Sequence, residues 1–66
     1  MILRFATHRD QNGNRYYLCV DFDTKAYAEE PRTFYRKGDF IEISKAERRR
    51  LKEEVIGVGF TPVDYI

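Results

Sequence analysis

The chain has 66 residues, 12 Lys and Arg against 11 Asp and Glu, and a formal net charge of +1. That length makes one domain, residues 1–66, and the near-neutral balance does not announce a general polyanion binder. Five Tyr and five Phe supply the bulk for a thin core without a metal, cofactor or disulfide. The single cysteine, Cys19, excludes an internal disulfide and favours a reducing compartment or indifference to redox. No apolar run reaches a membrane span, and strand-like sequence from Ile2 leaves no room for a signal peptide, so a cytoplasmic location is expected.

In chain order, the first signal is Asn12-Gly13, which predicts a two-residue hairpin turn between strands at about 2–9 and 15–22. A turn there pairs Leu3 with Phe22, Phe5 with Val20 and Thr7 with Leu18 on an apolar face. On the other face it pairs Arg4 with Asp21 and Asp10 with Arg15. A one-residue slip would put Asp23 and Asp21 against Leu3 and Phe5, so the register is expected to be strongly specified. Asp23-Thr24-Lys25 reads as a turn and Ala26-Tyr27-Ala28 as a short third strand. Pro31 interrupts it, 32–36 is β-prone, Lys37-Gly38-Asp39 is a turn, and 40–43 alternates as a strand with Ile41 and Ile43 toward the core.

Ser44-Lys45-Ala46-Glu47 is a capping box, so a helix begins at Lys45. Gly59 suits its left-handed terminus, because Phe60 and Val55 then occupy the contact positions of a Schellman ending. The helix is therefore placed at about 45–58, with Leu51, Val55 and Val58 as a narrow stripe. Pro62 confines the last residues to an edge strand or a docked arm. The expected fold is α+β: a small antiparallel sheet, built from the hairpin and two or more short strands, packed on one face by a single helix. Leu3, Phe5, Leu18, Val20 and Phe22 are expected beneath the helix.

The other hairpin face gathers His8, Cys19 and Asp21. A Cys–His nucleophile or a metal site there needs an activated thiolate with an oxyanion hole, or about four ligands, and neither pattern is present. No enzyme activity is expected. The same face carries Tyr17, with Tyr27 expected beside it. With Phe34 and Tyr35 they form a candidate protein-binding surface, since amphipathic rings bury well at low entropic cost.

Charge is segregated. Residues 31–52 carry eight cations against three carboxylates, a balance of +5, whereas 53–66 carry three carboxylates and no cation. Arg32, Arg36 and Lys37 flank Phe34 and Tyr35, a combination that grips phosphate and stacks on bases. Arg48, Arg49 and Arg50 sit early in the helix and Glu53 and Glu54 late, the reverse of what the helix dipole favours. These six cations, in the segment 32–37 and the run 48–52, are a candidate nucleic-acid surface.

The layout of a small antiparallel sheet followed by one capped helix resembles several DNA-binding modules, including the arm-binding domains of integrases. It equally resembles small phage and mobile-element proteins that bind other proteins. That likeness is of architecture alone. The sequence therefore predicts a small protein-interaction module, an inhibitor or adaptor that takes another protein or a second copy of itself. Nucleic-acid binding is the alternative, and a small-molecule binder at a dimer cleft is the third class.

Overall fold

The computed structural model describes residues 1–8, 15–30 and 38–66, and in it the chain forms a five-stranded sheet with one helix on one face. The elements are β1 (Ile2–His8), β2 (Arg15–Asp21), β3 (Ala26–Glu30), β4 (Ile41–Glu42), α1 (Lys45–Gly57) and β5 (Thr61–Pro62). The order across the sheet is β4-β1-β2-β3-β5. The three long strands form the antiparallel meander that short connections dictate. The two-residue edge strands depart from it: β4 runs parallel to β1 and β5 parallel to β3. The helix joins these two edge strands by a crossover, so β4 and β5 run in the same direction as each other. Pro62 sits at an edge, as its missing N–H requires.

The hairpin faces are as the alternation predicts, but the register is two residues away from the expected one. Leu3 pairs with Val20, Phe5 with Leu18, Thr7 with Tyr16 and His8 with Arg15. A slide of two leaves every side chain on its own face, so alternation cannot exclude it. The expected charge pairs carry only tenths of a kcal/mol each and do not decide it either. Arg4 lies opposite Cys19, and Asp21 instead accepts from the Asp23 and Thr24 backbone N–H groups at 2.9 and 3.3 Å to close the next turn. Asn12-Gly13 and the β-prone segment 32–36 lie outside the described residues.

Both ends of the helix form as the sequence predicts. Ser44 Oγ accepts from the Glu47 N–H at 3.1 Å, and Glu47 Oε1 accepts from the Ser44 N–H at 3.2 Å. At the far end Val58 is the cap and Gly59 takes φ 93°. The Phe60 N–H donates to the Val55 carbonyl at 2.9 Å and the Gly59 N–H to that of Ile56 at 3.1 Å, the Schellman pair. The helix ends one residue earlier than expected, and Val58, expected on the apolar stripe, is exposed.

Leu18, Val20, Tyr27 and Val55 form the core under the helix, with Phe5, Leu51 and Phe60 against it. Phe22 follows the end of β2, so it is half exposed and meets the Phe60 ring edge-on at 5.8 Å. The opposite face is also buried, contrary to expectation: Ala6, Tyr17 and Cys19 form a second core closed by Phe40 and Ile66.

Ala substitutions should separate the two glycines at the helix end, since a Cβ meets no atom within 4 Å at either. Gly59→Ala forces a left-handed L residue, costing about 1–2 kcal/mol, and should lower Tm by at least roughly 4–8 °C. Gly57 has ordinary helical geometry, so Gly57→Ala should raise Tm by about 2–6 °C. Thermal unfolding followed by circular dichroism reads both.

Candidate functional site

Helix positions 48, 52 and 55 lie one turn apart, so they share a stripe, and that stripe faces the sheet. Val55 enters the core, and the two cations dock on polar groups of the strands. The Arg48 guanidinium lies 4.2 Å from the centroid of the Tyr16 ring and donates to Thr7 Oγ1 at 2.8 Å. Thr7 is buried, so this is a polar contact shielded from water. The Tyr16 hydroxyl donates to Glu29 Oε2 at 2.9 Å, and Lys52 Nζ reaches Glu29 Oε1 at 2.6 Å. One chain of contacts thus joins β1, β2, β3 and α1.

The ionisation of these groups follows from that chain. Partial burial pushes the Glu29 carboxyl up, but the hydrogen bonds from Lys52 and Tyr16 and the charges of Lys52 and Arg48 together hold it below its ordinary 4.5. The bond to Glu29 raises Lys52. Burial, and then the bond and charge of Glu29, raise the Tyr16 phenol.

The candidate protein-binding tyrosines do not form an exposed platform. Tyr17 is 2 % exposed, with the Phe40 ring edge-on at 5.7 Å. Tyr27 is buried on the opposite face, because it pairs with Val20 rather than lying beside Tyr17. Arg15 packs over Phe40 at 5.0 Å and pairs with Glu42 at 2.7 Å, completing the cover of that face. Cys19 is fully buried there, out of reach of a substrate. Among the described residues no three His, Cys, Asp or Glu side chains converge on a metal position. Phe34, Tyr35, Arg32, Arg36 and Lys37 lie outside the described residues. Of the helical arginines, Arg48 is committed to Tyr16 and Thr7, whereas Arg49 and Arg50 are exposed.

A different surface is open. Positions 47, 50, 51 and 54 lie on the neighbouring helix face, and with β1 and the end of β4 they form a groove of about 240 Å³. Phe5, Ile43 and Leu51 make its apolar floor, and Glu47, Arg50 and Glu54 its rim. Ile41, paired with Phe5 and so on the same face, is 48 % exposed, not in the core as expected. The groove opens between the helix and the β4 edge of the sheet, where Ile43 is half-buried and Ile41 exposed.

Sequence reasoning missed both the docking contacts and the groove. The signal for the first was present: Arg48 and Lys52 share the stripe of Leu51 and Val55, which places two cations toward the sheet. The groove had no such signal, because it depends on where the helix lies relative to the β4 edge. No helix among the described residues is long and apolar enough to cross a membrane. No family model, curated protein or solved structure matches the chain.

Arg48→Ala strands the buried Thr7 hydroxyl and should cost about 1–3 kcal/mol, whereas Arg49→Ala should stay within about 0.5 kcal/mol; urea unfolding of the two variants compares them. Stability should also depend on pH at both ends. Glu29 lies below its unfolded value, so its contribution is complete above about pH 4.5 and is lost as pH falls through the folded value. Lys52 and Tyr16 lie above theirs, so their contributions hold below pH 10.5 and 10.0 and are lost as pH rises through the folded values. Denaturation midpoints across pH should form a plateau, and Glu29→Gln should make its acid limb shallower.

Proposed function

We propose that this chain is a small protein-interaction module of inhibitor or adaptor type, whose work is binding rather than chemistry. The observation that supports this most is the solvent-open apolar groove of Phe5, Ile43 and Leu51 with its charged rim. A protein-binding site commonly has apolar side chains at its centre and polar ones at its rim, and this small groove has that arrangement. At about 240 Å³ the groove is smaller than the roughly 300–1,000 Å³ of small-molecule sites, and suits one or two side chains of a partner. Among the described residues its lining holds no Ser, Cys or His, and Glu47 is engaged by the Ser44 backbone, which holds its carboxyl below the ordinary range.

Nucleic-acid binding through 32–37 and 48–52 has less support. Arg48 docks on Tyr16 and Thr7 and the partly exposed Lys52 pairs with Glu29, which leaves Arg49 and Arg50 as the exposed arginines of that run. If it operated, binding would weaken steeply with salt and be lost on reversing Arg49 and Arg50.

Affinity capture from the source cell, with and without nuclease, separates the two readings. The expected result is a protein partner that survives nuclease. Ile43→Thr, which trims apolar floor while keeping a β-branched residue, should weaken that capture by about 1 kcal/mol, roughly fivefold. Capture abolished by nuclease, and indifferent to Ile43→Thr, refutes the proposal.

A further inference from the structure

Both faces of the sheet are buried, but they are closed in different ways. From that difference we infer that segment 63–66 is a strap: it lifts as a unit and uncovers the face beneath it while the sheet stays folded. The face away from the helix carries Ala6, Tyr17 and Cys19, all buried. Among the described residues, the partly buried apolar side chains packed on that cluster are Phe40 and Ile66. They reach it from opposite edges of the sheet, since Phe40 precedes β4 and Ile66 follows β5. The Phe40 cover is knit by several contacts. Its ring meets Tyr17 edge-on at 5.7 Å, Arg15 lies over it at 5.0 Å, and Arg15 pairs with Glu42 at 2.7 Å. The Ile66 cover rests on the packing of one aliphatic side chain, which is non-directional.

The path of the strap supports the same conclusion. Pro62 brings no N–H to the β3 edge, and the Val63 N–H continues the pairing by donating to the Tyr27 carbonyl at 2.9 Å. The chain then bends at Asp64. Because β5 lies beside β3 and the cluster lies on β1 and β2, the segment passes over β3. Ala28 of β3 pairs with Cys19, so it shares that face, and it is buried. Along the strap Val63, Asp64 and Tyr65 are exposed, and Ile66 is half-buried. Fixing the backbone of one residue costs about as much as half-burying one aliphatic side chain returns, and three residues past Val63 are ordered around one such side chain. Few buried apolar contacts and an exposed backbone mark the low-stability end of a fold. The strand beneath is the opposite case: β2 lies between β1 and β3 and supplies Leu18 and Val20 to the core under the helix. Baring Cys19 from the sheet side would take global unfolding, whereas lifting the strap takes little. Beside the permanently open groove, the fold thus carries a second apolar surface, uncovered only when the strap lifts.

Cys19 is the single cysteine of the chain and is fully buried on this face, so its thiol reports opening without any substitution. The experiment is the rate of its modification by methyl methanethiolsulfonate, in a urea series that stays below the unfolding transition. In the unsubstituted protein the rate should be flat at low urea and at least about tenfold faster than global unfolding allows, rising with urea only near the transition. Ile66→Ser should raise the low-urea rate by about three- to tenfold, since it removes the apolar anchor. Tyr65→Ser should leave it within about twofold, because that side chain is 77 % exposed. Phe40→Leu should accelerate it less than Ile66→Ser does. A rate that climbs with urea from zero, with the slope of global unfolding, overturns the inference, because the thiol is then reached only by unfolding. A rate unmoved by Ile66→Ser, or moved more by Phe40→Leu, overturns it too, because the face then opens elsewhere. Should Ile66→Ser fail to fold, the urea dependence of the unsubstituted protein still decides.

Discussion

The stacking of Arg48 on Tyr16, with its hydrogen bond to buried Thr7, fixes how the helix lies on the sheet. The helix is tied by short chain to β4 at one edge and β5 at the other, so it must cross the face. Those tethers leave its lateral position open. Apolar packing alone is poorly directional, and Val55 is the one buried residue the helix contributes. Polar contacts have fixed partners. Arg48 pins the first half of the helix over β1 and β2, and Lys52 pins the next turn over β3 through Glu29. These contacts set the helix across β1, β2 and β3 and leave the β4 edge, with Ile41, open beside the groove.

Such a dock must offset the desolvation of the groups it uses. Arg suits the Tyr16 position because a guanidinium stacks on an aromatic face and is more weakly hydrated than an ammonium. Lys52 and Glu29 stay partly exposed, so their pairing is modest in energy and serves position more than stability. The small apolar core, spread over two faces of one sheet, leaves little surplus, so positional contacts of this size matter to the fold.

The sequence was most legible where one residue type has one job. Ser44 with Glu47, and Gly59 with Phe60 and Val55, are local motifs whose hydrogen bonds are complete within a few residues. Legibility failed where the decision is non-local. The hairpin faces could be read, but the two-residue register slide could not, because both registers satisfy the alternation. The burial of Tyr17 could not be read, because its cover comes from Phe40 and Ile66, more than twenty residues away in the chain. Tyr27 went to the other face by one step of β2–β3 register, which no local pattern fixes.

The segregation of charge along the chain takes a different meaning in three dimensions. In sequence, the block around the helix start looks basic, a surface for phosphates. In the fold, two of its helical cations are engaged by the sheet, Arg48 by Tyr16 and Thr7 and the partly exposed Lys52 by Glu29. The acids do the opposite: Glu47 and Glu54 stand on the rim of the groove with Arg50 between them. The open side of the helix is therefore more acidic than its sequence balance suggests. A one-dimensional charge count assigns every side chain to solvent equally, and here that assumption fails at the two positions that set the helix on the sheet. Because those two cations are spent on the sheet, the field that a partner approaching the groove would meet is set by the rim.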